Sequence, residues 1–148
     1  MDPLEVIKQS WAGDCIFDED KLDQESLKIP SLHAKYQDYW SKYSLILEDN
    51  KKKLSVLRRD QYLFYTGKAD AEVYKDNPFD LKVLKNDLNT FMEADEDIQT
   101  QQLKIAYFET VINYLEGVLK QINNRTYHIK NALEPVSYTH LRAHETPM

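Results

Sequence analysis

From Tyr36 to Phe64 the chain places Tyr36, Trp40, Tyr43, Leu47, Asn50, Leu54, Leu57, Gln61 and Phe64 at alternating steps of four and three. A helix turning once in about 3.6 residues keeps such positions on one stripe, so the spacing predicts a long amphipathic helix with a seam for partner helices. Asn50 and Gln61 interrupt the seam; polar residues of this kind cost stability and fix register or partner number. Ser31 reads as a fresh start after Pro30, and Gly67 supplies the stop signal, which bounds the helix at about 31–66.

A second stretch keeps the same rhythm. Ile98, Ile105, Phe108, Ile112, Leu115, Leu119, Ile122, Ile129 and Leu133 predict a helix over about 97–134. Its apolar face exceeds what one antiparallel neighbour covers, which implies self-association through Ile105, Ile112, Leu115, Leu119, Ile122 and Ile129. Shorter helices are expected near 3–12, started by Pro3, near 19–28, stopping ahead of Pro30, and near 80–93, capped by Asp80. Residues 68–79, with the Asn77-Pro78 turn signal, read as a connecting loop, and the acids Glu93, Asp95, Glu96 and Asp97 break or bend the chain before the second long helix.

Only three Gly and five Pro in 148 residues leave few turns, so the fold class is all-α, a single helical domain over 1–134. The N-terminal half of that domain carries the binding residues and the C-terminal helix the subunit contact. Residues 135–148, PVSYTHLRAHETPM, show no periodicity; they read as an adapter-like or disordered tail and are set aside. No run approaches the ~18 apolar residues a membrane span needs, and the lone Cys15 fits a reducing compartment.

Charge is the second constraint. The net charge is -6, yet Lys51, Lys52, Lys53, Arg58 and Arg59 crowd into one helical stretch. At about 100° per residue, Lys51, Lys52, Ser55, Arg58, Arg59 and Tyr62 share one side, away from the apolar stripe. Lys51 with Arg58 and Lys52 with Arg59 stand seven residues apart and so follow a line, with Tyr62, Tyr65 and Lys68 at its end. Cationic groups beside aromatic rings suit a single strand, whose phosphates and base faces are both accessible. A plainly solvated helix face fits the pattern equally, with Tyr62 and Tyr65 then packed in a seam between helices.

Catalytic chemistry has little to work with. There is no Gly-rich phosphate loop, no His and carboxylate pair at metal spacing and no nucleophile motif. His33 and His128 stand singly, Cys15 lacks an activating neighbour, and the acids at 93–97 lack the glycine and spacing of a calcium loop.

The segment LRRDQYLFYTGKADAEVYK, from Leu57 to Lys75, followed by PFDLKVLKNDL and YLEGVLKQINNRTYHIKNALE, resembles the UvsY family, the recombination mediators of T-even-type tailed phages, in their cyanophage-like form. The similarity runs from about Asp18 to Glu134. It implies a non-enzymatic accessory protein of the infected host's cytoplasm, with no nucleotide cofactor. Such a protein binds single-stranded DNA, contacts a UvsX-type phage recombinase and the phage single-strand-binding protein, and forms a hexamer or heptamer ring through its C-terminal helices. The family's DNA contact centres on a Lys-x-Arg pair just before an aromatic-Tyr-Ser/Thr-Gly turn. Here Arg59 stands at the Lys position and Gln61 at the Arg position, with Arg58 supplying a charge one residue earlier than Arg59. The resemblance thus makes Arg58 and Arg59 the main phosphate ligands, extended by Lys51, Lys52 and Lys68, with Tyr62 and Tyr65 for stacking. The alternative is a coiled-coil structural or assembly-scaffold protein that leaves the basic line idle.

Overall fold

The computed structural model describes residues 2–79 and 81–145, the side chains from 133 onward excepted. Asp80 as a helix cap and residues 146–148 of the expected tail fall outside the described residues; the backbone of 135–145, read from the sequence as part of an aperiodic tail, continues the last helix. Every described element is helical: α1 (Pro3–Asp14), a 3-10 turn (Glu19–Lys21), α2 (Leu22–Tyr65), α3 (Ala71–Asp76), α4 (Leu88–Glu93) and α5 (Glu96–Glu145). Two long helices dominate, as the seam spacing predicted.

Four boundaries differ from the sequence reading, one being the second long helix, which runs on from 134 to Glu145. The helix expected near 19–28 does not stop ahead of Pro30; α2 begins at Leu22 and runs through the proline. Pro30 and Ser26 are both exposed, so the carbonyl that loses its donor faces water. The helix expected near 80–93 is confined to the six residues of α4, and the presumed loop at 68–79 contains the equally short α3. Gly67 ends α2 as expected: its φ is 75°, its N–H donates to Phe64 at 3.2 Å and the Lys68 N–H reaches Leu63 at 2.8 Å, a Schellman closure.

The chain packs as two compact units, residues 1–42 with 111–148 and residues 43–110. In the first, α1 is capped by Asp2, whose carboxylate accepts from the Leu4 N–H at 3.0 Å. Its Ile7 and Trp11 are buried, with Trp11 edge-on to Tyr36 at 5.4 Å between ring centroids. The Tyr36 hydroxyl donates to Asp14 at 2.8 Å and lies 3.2 Å from the Ser10 hydroxyl, while Lys35 pairs with the same Asp14 carboxylate at 2.6 Å. Burial and the neighbouring Asp14 carboxylate push the Tyr36 hydroxyl's ionisation well up. Burial acts to raise the Asp14 pKa, but hydrogen bonds from Lys35 and Tyr36 outweigh it and hold the group below its ordinary value.

In the second unit, the two polar interruptions of the seam each meet a polar partner. Gln101 on α5 donates to both the backbone and side-chain oxygens of Asn50, at 2.9 and 3.0 Å, and Gln61 donates to Asp95 at 2.7 Å. The later residue of α2 thus faces the earlier position beside α5, so here the two helices run in opposite directions. Asp95 also starts α5, its other oxygen accepting the Ile98 N–H at 2.9 Å.

Ile105, Ile112, Leu115, Ile122 and Ile129, read from the sequence as a subunit contact, are buried within this one chain, and Leu119 is half-buried. α1 adds a third helix to the first unit and covers part of this face: Lys8 lies over the Tyr114 ring at 5.8 Å and Arg125 bonds the Asp14 carbonyl at 3.0 Å.

Candidate nucleic-acid interface

The basic line belongs to the final four turns of α2 and lies wholly within the second unit. The seam holds Leu54, Leu57, Gln61 and Phe64 out of full exposure, and this fixes the rotation of the helix: Lys51, Lys52, Ser55, Arg58, Arg59 and Tyr62 are all exposed. Some of the charge is locally matched. Lys51 lies 3.4 Å from Glu48, Lys53 lies 3.1 Å from Asp49 and Arg59 lies 3.2 Å from Asp60, each pair well exposed. Exposed pairs of this type contribute roughly 0–1 kcal/mol, so a phosphate can displace the carboxylate at little cost. Lys52 and Arg58 have no carboxylate partner among the described residues.

At the end of the line the charge meets a ring. Lys68, placed by the Gly67 closure, lies over the Tyr62 ring at 6.0 Å from its centroid, and Tyr62 is 43% exposed, so part of this side chain meets solvent. Arg58 and Tyr62 also line one side of a cavity of about 330 Å³, with Leu88 and Met92 from α4 and Gln102 from α5 on the other. Sequence reasoning missed Met92 and Gln102, because nothing local shows that α4 and the start of α5 lie against this part of α2.

Tyr65 is placed differently. Its ring packs against Phe64, Phe79 and Phe91 at centroid distances of 5.3, 5.3 and 5.8 Å, and its hydroxyl donates to Asp95 at 2.6 Å. Burial, then the Asp95 hydrogen bond, push its ionisation up to about 12. Both ends of the side chain are engaged, which is the seam position weighed from the sequence. Among the described residues no group of three or more His, Cys, Asp or Glu is gathered as a metal site, and no helix is long and apolar enough to cross a membrane.

The fold has solved counterparts. A crystal structure of the bacteriophage T4 recombination mediator protein UvsY matches with a TM-score of 0.79 at 20% identity, covering 92% of this chain and 96% of that one. A second lattice form of the same protein matches at 0.77 with 19% identity, covering 91% and 98%. No curated protein matches the sequence significantly. The family model described as recombination, repair and ssDNA binding protein UvsY spans residues 10–139, and by that match the chain belongs to the UvsY family.

Proposed function

We propose that this protein is a recombination mediator that binds single-stranded DNA along the exposed face of α2 and helps load a phage recombinase onto strands covered by single-strand-binding protein. The observation that carries the reading is the exposed line of Lys51, Lys52, Arg58 and Arg59 running to Tyr62 and Lys68. Phosphates take the cations, and a base stacks on Tyr62. Tyr65, packed in the aromatic cluster and bonded to Asp95, does not meet bases itself. The protein acts without chemistry of its own in the infected cell's cytoplasm, the recombinase supplying the nucleotide-dependent step. Several copies act together as a ring of six or seven subunits, so that weak contacts on each add up. Outward side chains of α5 such as Leu103 and Tyr127, 73% and 65% exposed, are available for contact between copies.

A labelled oligothymidylate titrated at increasing salt tests the reading. Binding should weaken steeply with salt, and Arg58→Ala with Arg59→Ala should lower affinity at least ten-fold at fixed salt. Undiminished affinity in that double variant, or no binding at moderate salt in the parent protein, would turn the assignment towards an assembly scaffold.

A further inference from the structure

We infer that the cavity bordered by α1, the 3-10 turn and α5 in the first unit is a docking site for a protein partner's peptide, which places one carboxylate against Arg125. Arg125 is 8% exposed, and its guanidinium carbon lies 5.7 Å from the Trp11 ring and 5.5 Å from the Phe17 ring. Nη2 donates to the Asp14 backbone carbonyl at 3.0 Å, whereas the buried Nη1 has no partner among the described residues. No described carboxylate is within ion-pair reach of this guanidinium: that of Asp14 is taken by Lys35 and Tyr36, and Glu25 pairs with Lys28. A guanidinium cannot shed its proton, so the buried charge is met by two ring faces and one carbonyl, and Nη1 stays open for an anion.

The surroundings have the form of a binding site. The cavity holds about 750 Å³, within the range typical of ligand pockets. Trp11 and Phe17 give it apolar walls, Asn124 and His128 give it hydrogen-bonding groups, and Glu19 stands on its lining. The planar fork of an arginine matches a carboxylate or a phosphate. Charge decides between them. Glu19 sits between Asp18 and Asp20, so the entrance is acidic and repels a polyanion at every phosphate. A peptide brings one carboxylate for Arg125, an apolar side chain for Trp11 and Phe17, and a basic side chain for Glu19. None of these residues belongs to the basic line of α2, so the two assignments stand or fall separately.

Trp11 is its own reporter once Trp40→Phe removes the other tryptophan of the full chain. The probe is a capped tetrapeptide of leucine, aspartate, leucine and lysine, compared with its asparagine counterpart, inorganic phosphate and oligothymidylate. The expected result is a saturable change in Trp11 emission with the aspartate peptide and at least ten-fold weaker binding of the asparagine peptide. Arg125→Lys should weaken binding, and because it also touches the packing, Asn124→Asp at an exposed position provides a variant that leaves the fold intact. Its added negative charge should weaken the aspartate peptide several-fold. Equal binding of the two peptides, no effect of Asn124→Asp, saturation by phosphate or oligothymidylate but not by peptide, or emission that changes with protein concentration alone would each overturn the assignment.

Discussion

Tyr65 stands three positions after Tyr62 on α2, and that step turns one ring outward and the other into the aromatic cluster. The two substitutions should therefore report on different things. Tyr65→Phe removes one of the two donors to the Asp95 oxygen, Gln61 being the other, and should cost about 1–3 kcal/mol in urea unfolding, with oligonucleotide affinity unchanged. The folded Tyr65 ionises at about 12 against 10.0 ordinarily. Its contribution is therefore complete below the ordinary value and drains away as pH rises between the two. The phenylalanine variant should lose that part of the alkaline unfolding limb. Tyr62→Ala should do the converse, weakening oligonucleotide binding by about 1–3 kcal/mol with little change in the unfolding midpoint. Asp14 has the opposite sign to Tyr65. Its folded pKa lies below the ordinary 3.8, so its contribution is present above that value and is lost as pH falls through the depressed one. Asp14→Asn should flatten the acid limb of a stability profile in that window.

Among the elements, Gly67 and Pro30 show which local rules hold and which are overridden. At Gly67 a Cβ would meet nothing within 4 Å, so the position demands glycine only through its φ of 75°. Gly67→Ala should therefore cost about 1 kcal/mol in thermal unfolding, a purely backbone penalty. At Pro30 the rule that helices end before proline gives way because residues on both sides, buried Glu25 and Tyr36, are held by their surroundings. Packing over about three turns outweighs one lost hydrogen bond. Replacing the proline with alanine should then stabilise the protein, by up to about 3 kcal/mol. The same contrast explains how much of the fold was legible. The seam of α2 could be read because it repeats over many residues, and the basic line opposite it followed from the same rotation. The six-residue α3 and α4 carry too few positions for a period. Asp95 read as one more solvated acid, because Gln61 and Tyr65, which bury it, lie 34 and 30 residues away. Arg125 was invisible for the same reason, its partner Asp14 being 111 residues distant.

For the whole molecule the governing fact is that a chain of net charge -6 must hold a polyanion. Overall charge opposes the encounter, so on the proposed reading affinity comes from local density and from repetition. One chain offers a short line, in which Lys51 and Arg59 pair with Glu48 and Asp60 and on the proposed reading exchange them for phosphate. Each phosphate contact on a single strand contributes about 0.7 to the slope of log affinity against log salt. Losing two contacts through Arg58→Ala with Arg59→Ala should then reduce the slope by about 1.4 for every subunit engaged on one strand. Subunits acting jointly multiply that figure, and light scattering on the same samples supplies the number of copies. The expected outcome is a slope change several times the single-chain value, in an assembly of matching size. A change of only about 1.4 in a multi-subunit particle would mean that one copy grips the strand at a time, and joint action by the copies would have to be abandoned.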